Sequence, residues 1–330
     1  MAESSLTLDL QKLRLFAVEQ FYGGAGDYSA LSSDEQGRVD RNINAGLRMF
    51  YSPPSVDGVS AHEWSFLRPI TTLTLQAPYS TGTIAVASGV VTLTGGTFPA
   101  WAASGRLSVN GTEYEINTRD SGTQVTLVDT SVTVSSGALY ELFQDDYSLG
   151  DDFERLLSPV TYNPGGSNKW ALTQVPEPVI RDWRSQETSR TGTQYPTYFA
   201  IRSVANDPTV GTRSLILFYP SVATTAVLEY QYKVRPSELT TTNKYAWGAS
   251  DHSETIKDAV LAAFEMHIDG QPGVFNQKFM QSLTASIARD RRVTMGGLLG
   301  QMQDGSDGNY SRWARRPNGF TVTFNGVTPT

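Results

Sequence analysis

Three histidines, His62, His252 and His267, are the only imidazoles in the 330 residues, and cysteine is absent. Without cysteine there are no thiolate zinc sites, cysteine nucleophiles, iron–sulfur clusters or disulfide scaffolds. None of the histidines lies in an HExxH spacing, so the helical zinc-protease site is missing. No GxSxG elbow presents a serine to His252 or His267. His267 falls near the end of an apolar-periodic helix, where an imidazole satisfies the last free carbonyls. Gly296-Gly297-Leu298-Leu299-Gly300 is rich in glycine but lacks the lysine of a phosphate loop and follows no strand, so it reads as a flexible joint. Asp145-Asp146 and Asp151-Asp152 cluster carboxylates as calcium sites do, but the EF-hand pattern does not fit, and capping and solvation are the expected roles. The paired acids of a glycosidase leave no spacing signature and stay open. No metal and no cofactor is predicted.

The most informative polar feature lies at the end of the chain. Arg289, Arg291, Arg292, Arg312, Arg315 and Arg316 stand against Asp290, Asp304 and Asp307, a local positive excess in a chain of formal net charge −7. Trp313 and Phe320 lie beside them. Arginine and tryptophan dominate interface hot spots, through bidentate pairing and large buried area. These six arginines with Trp313 and Phe320 are therefore the candidate partner-binding residues. A solvated basic tail and contact with DNA are the competing readings. Thr321-Val322-Thr323-Phe324 alternates in a way that also fits strand addition to a neighbour's sheet.

The elements that must position these residues are legible from periodicity. Leu10, Leu13, Ala17 and Phe21 form one helical stripe, ended by Gly23-Gly24. Ser32 with Glu35 is a capping-box signal, and Val39, Ile43, Leu47 and Phe50 form the stripe behind it, stopped by Pro53-Pro54. Glu63–Leu67 and Thr71–Leu75 read as strands. Short strand candidates follow at Gly82–Val86, Val90–Leu93, Arg106–Val109, Glu113–Asn117, Gln124–Val128 and Leu139–Leu142, with Asn110-Gly111 placed for a tight hairpin. Asp151 is expected to cap a short helix over Phe153–Leu157. Further strands are predicted at Ala171–Val175, Tyr198–Val204, Arg213–Tyr219 and Ala226–Val234. Asp251 and Glu254 are expected to cap a helix with Ile256, Val260, Ala263, Phe264 and Ile268 on one face. After Gln271-Pro272-Gly273 a last helix runs from Val274 towards Arg291, with Phe275, Phe279, Leu283 and Ile287 inward. From Thr294 on no period is visible, as in a segment that folds on a partner or stays mobile.

Hydrophobic residues make up 39% and glycines number 29, enough for a real core in one or two domains. The acidic balance argues against a surface built to bind nucleic acid. No apolar run approaches the length of a membrane span, and Met1–Leu10 lacks the pattern of a signal peptide. The expected fold class is α+β: a helical core at both chain ends with crossing strands, an inserted small all-β domain and an extended C-terminal tail. The expected division is 1–76 with 146–293 as a discontinuous core, 77–145 as the inserted domain and 294–330 as the tail.

This arrangement resembles a known family. The two helices, the Pro-Pro stop, Trp64-Ser65-Phe66-Leu67-Arg68-Pro69, the β block and the return through Asp151-Asp152-Phe153-Glu154-Arg155-Leu156 are similar to the head-to-tail adaptors of tailed bacteriophages. The return phrase looks like their return helix. Gly82-Thr83-Ile84-Ala85-Val86, Gly105-Arg106-Leu107, Tyr114-Glu115-Ile116 and Thr126-Leu127-Val128 resemble the small β domain inserted in some of them. The resemblance implies a homo-oligomeric ring of about twelve copies. The ring would clip under the portal protein, bind the tail tube or nozzle protein on its other side and let genomic DNA pass. It implies a mechanical role with no catalytic residues, a place at the head–tail junction of a virion assembled in the host cytoplasm, and no membrane partner. An acidic channel wall would repel DNA phosphates. A tail fibre or receptor-binding protein is the alternative suggested by the Thr/Ser/Gly-rich β block, and a carbohydrate-active enzyme is the third. Stable trimers would favour the fibre; a monomer fits the enzyme and equally an adaptor that has not met its portal.

Overall fold

The structure, a computed structural model, describes residues 4–23, 27–53, 61–163, 170–186, 195–204, 212–248 and 250–294, with residues 293 and 294 as backbone only. Its class is α+β, with helices from the two ends of the chain packed together and three sheets between them in sequence.

The helical part is organised around α4 (Ser253–Asp269). It packs against α1 (Leu10–Phe21), α2 (Ser33–Tyr51) and α5 (Val274–Thr294). The capping box at Ser32 and Glu35 forms, each side chain taking the other's backbone N–H. Val39, Ile43, Leu47 and Phe50 are all buried, as their stripe predicts. Arg14 on α1 grips Asp40 on α2 with two hydrogen bonds of 2.8 and 2.7 Å. One position sets how close α2 and α4 come. A Cβ on Gly46 would lie 2.5 Å from Val260 Cα, so only glycine admits this crossing. α4 differs from its expected single apolar face. Ala259, Leu261 and Ala262 are buried along with Ile256, Val260 and Phe264, because helices cover several of its sides. Ile268, expected inward, is 56% exposed, since it lies in the last turn next to the Gly270 cap.

Between α2 and α4 the chain makes its β structure. Strands β1 (Ile70–Leu75), β10 (Phe153–Leu156) and β11 (Thr161–Tyr162) all pair antiparallel with β15 (Ala226–Val234). A second sheet runs β12 (Thr173–Gln174), β13 (Tyr198–Ser203), β14 (Ser214–Tyr219), β9 (Asp146–Ser148). Leu75, Tyr147, Phe153, Phe199, Phe218 and Leu228 meet in a shared core of these two sheets.

The stretch between them forms a separate sheet with its own core. Its order is β7 (Val134–Ala138), β2 (Thr83–Ala87), β3 (Val90–Thr94), β6 (Gln124–Leu127), β5 (Thr112–Arg119), β4 (Arg106–Val109), β8 (Tyr140–Phe143). The two outer strands are halves of one run that turns at Leu139. One half pairs β2 and the other pairs β4, and Tyr79 exchanges 2.8 Å hydrogen bonds with Leu142. The sheet therefore curls toward a barrel around Val91, Leu107, Val125 and Leu142. Asn110 and Gly111 both have positive φ, as the hairpin between β4 and β5 requires.

Five expectations are corrected. Glu63–Leu67 is not a strand: Ser65–Leu67 is a 3-10 turn. The turn sinks Trp64, 1% exposed, against Phe50, and the Trp64 indole N–H donates to the Phe50 carbonyl at 2.8 Å. Phe153–Leu157 is not a helix capped by Asp151, and the return phrase is not a return helix. It is β10, drawn onto the far end of β15, where the Phe153 ring stacks on Tyr232 and Glu154 pairs with Lys233. Asp251 and Glu254 do not cap α4, which starts at Ser253 after a 3-10 turn that contains Asp251. His267 donates to no carbonyl among the described residues. The Gly270 N–H closes that helix end onto Met266 instead. Ala171–Val175 shrinks to a two-residue strand, and a helix not foreseen follows it, α3 (Glu177–Gln186). Its Pro178 in the first turn was the available start signal.

Candidate functional site

The candidate binding residues that are described, Arg289, Arg291 and Arg292, sit in the last two turns of α5. Arg312, Trp313, Arg315, Arg316 and Phe320 lie outside the described residues, as do Gly296–Gly300 and the alternating Thr321–Phe324.

α5 is fixed at its start by a carboxylate. Glu265 on α4 accepts the backbone N–H groups of Gly273 (3.0 Å), Phe275 (3.3 Å) and Asn276 (3.0 Å). These are donors that the first turn of a helix leaves without partners. Burial pushes the Glu265 carboxyl up, but those backbone donors outweigh it and hold it below its ordinary range. Along its length, Phe279 and Leu283 enter the helical core, the hydroxyls of Thr255 and Ser286 meet at 2.7 Å, and Lys278 lies 3.0 Å from the buried Asp258.

The C-terminal end is held by Asp290, 3% exposed. Its carboxylate accepts the Ser65 N–H (3.1 Å), the Ser65 hydroxyl and the His62 Nε2–H (2.8 Å). Burial raises this carboxyl too, and the serine and histidine donors bring it below its ordinary range. The order of the groups is not that of a nucleophilic relay. In such a relay the histidine stands between serine and carboxylate; here Ser65 and His62 both address Asp290. His252 is buried among Phe50, Trp64 and Phe66, and burial pushes its imidazole down, so it is neutral near pH 7.

With Asp290 turned inward, the arginines on either side of it turn outward. Arg289 donates to the Asp251 carbonyl. Arg291 and Arg292 are exposed and make no ion pair or hydrogen bond among the described residues. Cations suit the negative end of the helix dipole. Asp290 also lines a cleft of about 640 Å³, walled by Phe66, Tyr245, Trp247 and His252. The site thus offers two charged guanidinium groups and an aromatic-walled hollow, which is chemistry for holding a partner surface.

The other acidic cluster is structural. Asp146 bridges Arg184 of α3 (2.8 Å) and Arg202 of β13 (3.1 Å), and Arg184 also donates to the carbonyls of Asp145 and Phe218. Asp152 accepts the Tyr232 hydroxyl at 3.1 Å, and exposed Asp151 lies 3.3 Å from Arg213. Among the described residues no group of three or more acidic or histidine side chains is arranged to hold a metal ion, and no helix is long and apolar enough to cross a membrane.

In a comparison with protein families, a model described as the SU10 adaptor protein matches residues 95–301. That range takes in most of the curled sheet, the second sheet, β15 and α3 to α5. No curated protein matches the chain.

Proposed function

The chain belongs to the SU10 adaptor protein family, phage head-to-tail adaptors with a structural role, and from that membership we propose how it is used. Copies of the chain form a closed ring, about twelve in number. The ring seats on the portal protein on one side and takes the tail tube or nozzle protein on the other. The genome passes through its centre, and the chain's net negative charge keeps the DNA from adhering to the wall. Its place is the head–tail junction of the virion.

Within the chain, residues 1–76 and 146–293 act as the adaptor core, 77–145 as an inserted β unit and 294–330 as a tail. Supporting this division, the hydrophobic cluster of the curled sheet draws only on residues from Tyr79 to Tyr140 and Leu142, while the helical cluster draws on both ends of the described chain. Arg289, Arg291 and Arg292, with Arg312, Trp313, Arg315, Arg316 and Phe320, dock the portal. The exposed, unpaired guanidiniums of Arg291 and Arg292 support that assignment.

The family match over residues 95–301 carries this reading. Electron microscopy of the protein mixed with the portal protein of the same phage tests it. A ring stacked on the portal's narrow end is the expected image. No binding, with the protein found on fibres or as a free stable trimer, would overturn it. Neutralising carboxylates that face the channel is expected to slow DNA ejection; an unchanged rate would remove the repulsion argument.

A further inference from the structure

Edge strands leave a row of backbone N–H and C=O groups without partners, and proteins usually keep such strands short, charged or interrupted by proline. Most of the edges here follow that rule. β9 has three residues, β10 four, and β11 and β12 two each. The curled sheet pairs both of its outer strands through the single run that turns at Leu139. β1 is the exception. Its six residues, Ile-Thr-Thr-Leu-Thr-Leu, carry no charge and no proline. They pair with β15 on one side and with no strand on the other among the described residues. Thr71, Leu73 and Leu75 share the face toward the core of the two sheets. Leu75 is fully buried there, and Leu73 is half-buried.

The same chain carries a segment of matching form. Phe320-Thr321-Val322-Thr323-Phe324 alternates apolar and threonine residues, has no charge, and is bounded by Asn318-Gly319 and Asn325-Gly326. Asn-Gly pairs punctuate strands at both ends. Laid along β1, its Phe320, Val322 and Phe324 would continue the apolar face at Leu73, and Thr321 and Thr323 would fall beside Thr72 and Thr74.

We infer that residues 320–324 of one copy add as a strand to the β1 edge of the next copy. The inference rests on the ring reading above. Residues 295–319 lie between the end of α5 and the segment. A span of that length reaches about 80 Å when extended. That is far more than is needed to return to the chain's own β1, since Asp290 already holds Ser65, five residues before Ile70. Each copy then offers one donor strand and one acceptor edge, a head-to-tail contact of the kind that closes rings. Phe320, one of the residues proposed to dock the portal, thereby serves the neighbouring copy instead, while the arginines before it and Trp313 remain available to the portal.

The absence of native cysteine makes the test direct. Full-length chains carrying single substitutions, Thr72→Cys or Thr74→Cys in one and Thr321→Cys or Thr323→Cys in the other, are mixed, assembled on the portal and oxidised. The four pairings cover both strand directions and neighbouring registers. Covalent dimers are expected from at least one pairing, and the corresponding double substitution in one chain is expected to give a ladder of multimers. Rings visible by microscopy with no covalent dimers in any pairing would overturn the strand exchange and leave the ring reading standing. Cross-links found only within single chains would do the same. Absence of any ring would remove both. Thermal melting of the reduced variants, expected to match the unsubstituted chain, separates a lost contact from a lost fold.

Discussion

Two carboxylates hold the last described helix at its two ends, and they respond to acid in the same direction. Both Glu265 and Asp290 have folded-state values below those of a free side chain. A depressed carboxyl adds stability that is fully present above its unfolded value, about 4, and that disappears as pH falls through the lower folded value. The melting temperature is therefore expected to fall steeply below about pH 4. Glu265→Gln keeps an acceptor but removes the charge from the helix start, so it is expected to cost about 1 kcal/mol near pH 7. It is also expected to flatten the melting profile between about pH 4 and 2. A profile as steep as that of the unsubstituted chain would show that Glu265 does not carry the effect. Asp290→Ala is the more severe change, because Ser65 and His62 both lose their acceptor in a buried place. It is expected to cost about 1–3 kcal/mol in denaturant unfolding, and an unchanged midpoint would mean that the bonds to Ser65 and His62 are replaced by water.

The crossing of α2 and α4 gives a case where two local rules oppose each other. Alanine is a better helix former than glycine by about 1 kcal/mol, so Gly46→Ala would stabilise an exposed helix. Here the new Cβ would fall 2.5 Å from Val260 Cα and 2.8 Å from the Ala259 carbonyl oxygen. Backbone atoms cannot rotate away, and overpacking of this kind costs about 1–3 kcal/mol. A net loss is therefore expected in the denaturant midpoint; a gain would show that the helices separate at little cost. The same contrast explains how much of the architecture was readable. Elements whose pattern is local were plain: the stripe from Val39 to Phe50, the capping box at Ser32, and the Asn110-Gly111 hairpin. Segments decided by distant partners were not. The Trp64 run alternates like a strand but turns to bury its indole against Phe50, and Phe153–Leu156 joins β15 roughly eighty residues later in the chain. The candidate site was legible only in part. Arg291 and Arg292 stand out by charge in the sequence, and both are exposed. Asp290, counted among the charges opposing them, is instead the buried anchor of that helix end. Its partners, His62 and Ser65, lie more than two hundred residues away in sequence, beyond the reach of any spacing rule.

Charge divides the sequence unevenly, and the proposed docking role rests on that division. The chain is acidic as a whole, with formal net charge −7, yet the last residues of α5 and those beyond collect six arginines against three aspartates. Several arginines of the fold are engaged: Arg14 with Asp40, Arg184 and Arg202 with Asp146, Arg155 with Glu63. Arg291 and Arg292, like Arg38 and Arg41 on α2, are exposed and make no ion pair with a described residue. Among the described residues, the buried members of the helical core end at Leu283, with Ile287 packed against it. Removing residues 301–330 is therefore expected to leave the cooperative melt of the remaining chain within a few degrees of the full-length protein, because no buried contact among the described residues is lost. Incorporation into the phage particle is expected to fail, because Arg312, Trp313, Arg315, Arg316 and the donor strand go together. Substituting the four arginine and tryptophan positions by alanine within the full-length chain then separates the two roles: loss of portal binding with covalent dimers retained in the cysteine assay on preassembled rings assigns docking to Arg312–Arg316 and ring contact to Phe320–Phe324. Normal incorporation of the truncated chain would instead place docking in the folded part, where the exposed pair Arg291 and Arg292 and the aromatic cleft that Asp290 lines would be the positions to substitute next.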